Sequence, residues 1–240
     1  MAVHGKNTEV LLGAINLSPY MNSADFSIDV DTADTTTFGS AWKTAIAGQA
    51  GSKADFAGLY DPAVTAMTDL LGTDFGTILS YAPGGATAIG DRMRLMSVAE
   101  TAYSESSPVG DVVAFKVSFM GSGVAGDAAL LHPLSEDTNT TTGAEKDDTA
   151  ATNTGWTAHL HVTAVDGGSW VIQLQDAAVT DTHSNLTGGA FTAATGPTSQ
   201  RLVSASATTT LRRYIRYVAT RTGGSAGDGI TFSLSYARNA

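Results

Sequence analysis

Two stretches of strict alternation limit what this chain can fold into. In Asp111-Val-Val-Ala-Phe-Lys-Val-Ser-Phe-Met-Gly-Ser-Gly123, the side chains of Val113, Phe115, Val117 and Phe119 share one face. In Asp25-Phe-Ser-Ile-Asp-Val-Asp31, Phe26, Ile28 and Val30 do the same. Strand side chains alternate with period two, so each stretch predicts a half-buried β-strand and excludes an amphipathic helix. Asp25, Asp29 and Asp31 then lie on the wet face, opposite the apolar set. An acidic sheet face with no catalytic apparatus beside it reads as a wall, and the chain as a structural building block.

Composition agrees. Only 15% of the 240 residues are charged, and Gly, Ala, Ser and Thr abound, which favours strands and turns over helices. The length allows one large or two small domains, each with its own core. The net charge of −10 is uneven. Residues 1–133 hold 6 Lys/Arg against 14 Asp/Glu, and residues 134–240 hold 7 against 9, giving balances of −8 and −2. So acidic a chain repels phosphate backbones, which disfavours tight nucleic-acid binding. With no cysteine there are no disulfides, thiolate metal sites or cysteine nucleophiles, and assembly in a reducing cytoplasm is favoured. No secretion signal and no apolar run of 18 residues is visible, so the expectation is a soluble protein that is not exported, with no membrane anchor. The triplets at Asn16, Asn139 and Asn185 therefore carry no weight as glycosylation sites.

Along the chain, strands are expected at 9–17, 21–31, 54–60, 92–103 and 111–120, with a long loop over 34–44. One helix is expected after Asp61: Asp61 caps it, Pro62 suits its first position, Gly72 follows its end, and Val64, Met67 and Leu71 form its apolar stripe. Residues 134–155, rich in Thr, Asp, Asn and Gly, read as a linker or long surface loop. Beyond them, strands at 156–165, 169–176, 199–205, 211–221 and 230–237 predict a small Ig-like β-sandwich, with Val165-Asp-Gly-Gly168 as a hairpin signal. The expected organisation is a core at 1–133, a linker at 134–155 and an outer sandwich at 156–240. Within the sandwich, Ile230, Phe232, Leu234 and Tyr236 share the core face.

Several motifs resemble chemistry and fail its requirements. Gly223-Gly-Ser-Ala-Gly227 matches the G-x-S-x-G elbow, but a strand rather than a helix follows it, and the last histidine, His183, precedes the serine. It reads as a hairpin loop. It also half-matches a calcium-binding nonapeptide that works only in stacked arrays. Asp29-Val-Asp-Thr-Ala-Asp34 opens with calcium-loop spacing, but Asp34 and Ser40 stand where an EF-hand needs Gly and Glu. A solvated acidic face is the default there. His159 and His161 point the same way from one strand and can share a metal, but no third ligand is adjacent, so an exposed Thr/His face is expected. Arg212, Arg213, Arg216 and Arg221 form the basic cluster, best explained by pairing with acidic neighbours within or between subunits. Gly84-Gly-Ala-Thr-Ala-Ile-Gly90 lacks the lysine and following helix of a phosphate loop. No catalytic residue, cofactor site or metal site is assigned.

The N-terminal half resembles the tail tube (major tail) proteins of long-tailed bacteriophages. The resemblance is carried by His4-Gly-Lys-Asn-Thr-Glu-Val-Leu-Leu-Gly13 with Leu17-Ser18, the 25–31 strand, Thr35-Thr-Thr-Phe-Gly39, Ala57-Gly-Leu-Tyr-Asp61, and Phe119-Met-Gly-Ser-Gly123. It covers residues 1–131. It implies a mainly-β, tail-tube-like sandwich or barrel with one flanking helix, carrying an added C-terminal sandwich. It also implies a non-enzymatic virion protein, made and assembled in the host cytoplasm. Its partners would be itself, as rings (usually hexameric in that family) stacked into a tube, and other tail proteins, with DNA passing through unbound by any specific site. Ring closure would pair sheet edges that are an aggregation hazard in a monomer. Asp25, Asp29 and Asp31 are the candidate channel-lining residues, since an acidic wall does not hold DNA. The alternatives are a capsid decoration or other shell protein, and a carbohydrate-binding or adhesive module whose aromatic pocket would come from Trp156, Trp170 and Tyr214.

Overall fold

Both alternating segments form strands: the one at 25–31 runs longer than its pattern indicates, whereas the one at 111–120 begins only at Ala114. The computed structural model describes residues 5–39, 41–61, 77–123 and 125–239. The helix expected after Asp61 lies outside the described residues. The strands are β1 (Glu9–Leu12), β2 (Ile15–Asn16), β3 (Met21–Asp34), β4 (Ala45–Leu59), β5 (Thr77–Ala82), β6 (Arg92–Ser106), β7 (Ala114–Gly121) and β8 (Gly126–Asp137). They continue with β9 (Thr141–Thr142), β10 (Lys146–Asp147), β11 (Trp156–Val165), β12 (Ser169–Ala177), β13 (Ser184–Ala190), β14 (Thr198–Val203), β15 (Tyr214–Thr222) and β16 (Ile230–Arg238). The protein is mainly β, and its strand pairs are antiparallel.

The chain divides into two compact units. One, the ribbon unit, comprises Tyr20–Gly76 and Met96–Ala125. The other, the sandwich unit, comprises Met1–Pro19, Thr77–Leu95 and Gly126–Ala240. These limits differ from a boundary at 133, which falls inside β8.

In the ribbon unit the strand order is β3-β4-β7-β6. One face is apolar and buried: Ala54 and Phe56 from β4 lie beside Phe115, Val117 and Phe119 from β7, with the Phe56 and Phe119 rings 6.0 Å apart. Expectation placed a loop over 34–44 and began β4 at Ala54. The loop holds, since β3 ends at Asp34, but β4 begins nine residues early at Ala45, and the two strands are paired along almost their whole length. Ala45-Ile-Ala-Gly-Gln-Ala-Gly51 has no alternating pattern because nothing buries either of its faces, and its residues are all exposed.

The sandwich unit packs two sheets. One runs β14-β11-β16-β8-β6-β5-β1-β2, with β6 contributing residues 92–95; the other runs β10-β15-β12-β13, with β9 also on β15. Between them lies an apolar core that includes Trp156, Leu160, Trp170, Ile172, Tyr217, Phe232 and Leu234. Phe232 stacks on His132 at 4.1 Å and meets the Tyr217 ring edge-on at 5.6 Å. Ser233 and Ser235 on its other face are buried as well, so β16 is covered on both sides.

Three expectations are corrected here. The first strand is broken at Gly13 (φ +58°), which turns β1 back into β2. The Val165–Gly168 turn does not close a hairpin. β11 pairs with β14 and β16, whereas β12 pairs with β13 and β15 in the other sheet. The turn is held by Asp166 N–H donating to Gly229 O at 2.9 Å, and so acts as an arch between sheets. Residues 134–155 are built into the fold rather than strung between domains. They complete β8 and supply β9 and β10, and Asp148 anchors Arg238.

Candidate assembly surface

The acidic strand and its partner form the site that the sequence singles out. Asp25, Ser27 and Asp29 of β3 stand opposite Asp55, Lys53 and Gly51 of β4. Asp31 sits at a bulge, where the register slips between Val30 and Thr32 and two residues of β4, Gly48 and Gln49, oppose it. A β-carbon on Gly48 would stand 3.2 Å from the Asp31 β-carbon, so the bulge is closely fitted. All three aspartates are exposed, as expected for a wet face. Asp25 faces a like charge in Asp55, a destabilising cross-strand pair, with Lys53 one position along on the same face. Ser118 Oγ donates to Asp55 Oδ1 at 2.5 Å, taking up part of its charge.

The opposite face changes character along the ribbon. Phe26 is half-buried, but Ile28 and Val30 are 51% and 49% exposed, and Ile46 across the ribbon is exposed too. The reason is the end of β7: its last pair with β4 is Lys53 with Met120, and among the described residues β4 from Ser52 back to Ala45 pairs with β3 alone. β3 likewise pairs only with β4 among the described residues. The result is a two-stranded arm with bare backbone edges and apolar side chains in water. Its connecting loop carries Phe38, fully exposed, and Trp42, 85% exposed. Isolated two-stranded ribbons are marginal in water, and long exposed edges recruit further strands. Where β7 departs, a groove of about 480 Å³ opens, lined by Ile28, Gln49, Ala50, Gly51, Ser52, Gly121, Gly123 and Ala125. Sequence reasoning missed both arm and groove; the exposed Phe38 and Trp42 were the signal available.

The remaining motif residues serve the fold. Contrary to the expected exposed face, His159 and His161 are buried, because β11 has the apolar core on one side and β5 on the other. His161 Nδ1 lies 2.7 Å from Gly13 O and must donate to it, which leaves Nε2 to accept from Ser80 Oγ, also at 2.7 Å. Burial pushes His161 down to about 4 and His159 well below its ordinary value, with the neighbouring His161 and Arg201 adding to the effect on His159. Ser80 and His161 resemble a nucleophile and base, but both are sealed from solvent. Among the described residues no group of three His, Cys, Asp or Glu is placed to hold a metal ion.

The arginines are engaged within the chain. Arg212 pairs with Asp176 at 2.5 Å, and Arg213 pairs with Asp147 through two bonds at 2.7 and 2.6 Å. Arg216 donates to Gln175, and Arg221 donates to the carbonyls of Ser225 and Asp228. That places Ser225 in a turn closed by Asp228 Oδ2, which accepts the Ser225 N–H at 2.6 Å. In the Gly84–Gly90 loop, Asp91 Oδ2 takes the amides of Thr87 and Ala88 that a phosphate would need. Trp156 and Trp170 are wholly buried, which removes them from any sugar-binding platform, and Tyr214 lies under the Arg213 guanidinium at 4.7 Å.

No family model and no curated protein matches this chain. Among solved structures it is similar to the tail of an empty gene transfer agent particle with C6 symmetry, at 13% identity and a TM-score of 0.42. That match spans 52% of this chain and 98% of the other. It is similar to the SPP1 tail tube at 10% identity and a TM-score of 0.42, over 51% and 77% of the two chains. It is also similar to the SPP1 Dit protein, a hub adsorption apparatus component, at 13% identity and a TM-score of 0.34, over 95% and 97%.

Proposed function

We propose that this chain is a non-enzymatic structural protein of a phage virion, whose copies join as rings and stack into a tail tube through which DNA is delivered to the host. The reading rests on the β3–β4 arm. Its bare edges and exposed apolar side chains are a liability in a monomer and a joint in a polymer, where a neighbour's strands cover them. Of the motifs that resemble tail tube proteins, the 25–31 strand and Thr35–Gly39 lie in this arm and its connecting loop. Asp25, Asp29 and Asp31 line or border the lumen in this reading, where a negative wall keeps DNA hydrated and moving. Partners are further copies of the chain and other tail proteins.

The test is assembly of the purified chain, followed by electron microscopy and light scattering over a range of salt and protein concentrations. Rings or tubes are the expected outcome. Monomer alone under all conditions would sink the proposal.

A further inference from the structure

We infer that Trp42, at the tip of the arm, inserts into the groove at the base of the arm of a second copy. The inference rests on the assembly proposed above and names its joint. Knob and groove belong to one ribbon unit, but they cannot meet within one molecule. The groove lies at the pair Ile28 and Ser52, and the arm runs six residues on to the pair Asp34 and Ala45. At about 3.3 Å per residue that is roughly 20 Å of paired ribbon, so Trp42 is held away from its own groove.

The groove is suited to an indole. Ala50, Gly51, Gly121, Gly123 and Ala125 give it a floor of backbone and methyl groups on which a flat ring can lie, and Ile28 gives it an apolar wall. Ser52, which also lines it, is 4% exposed, and its Oγ has no hydrogen-bond partner among the described residues. An unpaired buried hydroxyl is costly, and the indole N–H is a donor in need of an acceptor. Gly121 must be glycine for this arrangement: a β-carbon there would stand 1.9 Å from Ser52 Oγ. A knob and a groove at different places on one surface make a head-to-tail contact, which propagates into rings or filaments.

Fluorescence makes the test direct. Trp156 and Trp170 are wholly buried, so iodide quenching and a red-shifted emission component report on Trp42 alone. In the unassembled protein Trp42 should be quenched, and on assembly the quenching should disappear with a shift to the blue. Trp42→Ala should raise the protein concentration needed for assembly at least tenfold. Because the chain has no cysteine, Trp42→Cys and Ala50→Cys chains mixed under oxidising conditions should yield a cross-linked heterodimer. Rings that form with Trp42 still quenchable, or equally well from Trp42→Ala, would overturn this joint and leave the assembly reading standing. A wild-type chain that never assembles overturns both. A blue shift seen only with phosphatidylglycerol vesicles, in chains that remain separate, would make a membrane the occupant and also overturn the joint.

Discussion

Arg238 donates from Nε to Asp148 Oδ2 at 2.7 Å, joining two residues ninety positions apart in the chain. Lys146 Nζ meets the other carboxylate oxygen at 2.7 Å, and Tyr236 OH donates to Oδ2 at 2.5 Å. The rest of the Arg238 guanidinium donates to Thr152 Oγ1 and to the carbonyls of Leu211 and Arg212. One aspartate from an apparently unstructured stretch thus fixes the last strand of the sandwich unit.

Asp148→Asn should destabilise the protein by about 3 kcal/mol, because it strips the charge partner from a largely buried guanidinium. Burial acts to raise the Asp148 carboxyl, but the hydrogen bonds from Lys146, Tyr236 and Arg238 outweigh it and hold it below its ordinary 3.8. A lowered carboxyl contributes stability that is complete above the unfolded pKa and lost as pH falls through the folded one. Denaturant melts should therefore show the variant's deficit at pH 7 shrinking below about pH 4.

His161 sets a second acid response, with a higher window. Its folded pKa of about 4 lies below the ordinary 6.5, so the unfolded chain binds the proton first. Stability is then complete above pH 6.5 and falls as pH drops towards 4, by about 3 kcal/mol at 1.36 kcal/mol per pH unit. His159 adds to this in the same direction. Thermal melts from pH 8 to pH 4 should show the decline, and His161→Gln should flatten it; an unchanged slope would rule out the histidine as its source.

Glu9 acts with the opposite sign. Burial raises its carboxyl from 4.5 to about 7, and Oε1 has no partner among the described residues. The folded chain holds the proton where the unfolded chain has released it, so stability drops as pH rises from 4.5 to 7 and stays reduced above. Glu9→Gln should gain about 1–2 kcal/mol at pH 8, after allowance for its residual solvent contact, and almost nothing at pH 4.

Phe232→Asp places a charge where nothing is exposed, against His132 and Tyr217. A loss of more than about 4 kcal/mol is expected, enough to unfold the sandwich unit by circular dichroism.

Asp25→Lys with Asp29→Lys tests the channel surface. Both sites are exposed strand positions, so the melting temperature should move little, whereas assembled tubes should retain duplex DNA at low salt and release it at high salt. Retention equal to that of wild-type tubes would remove these residues from the lumen.

Alternation alone determined that 25–31 and 114–120 are strands, gave the second a wet side and a dry side, and placed Phe232 in a core, because period-two burial is a local property written residue by residue; the dry side it assigned to 25–31 fails beyond Phe26, where Ile28 and Val30 are exposed. It also put Asp25, Asp29 and Asp31 in water. Tertiary structure decided what no local pattern encodes. His159 and His161 look exposed in sequence and are buried, since β5 and the turn at Gly13, both distant in the chain, close that face of β11. Residues 146–148 look like linker and are structural, since their partners Arg213 and Arg238 come from far along the chain. Residues 45–51 carry no pattern in sequence and form half of a long ribbon, because backbone pairing holds them and no side chain there is buried to leave a periodic mark.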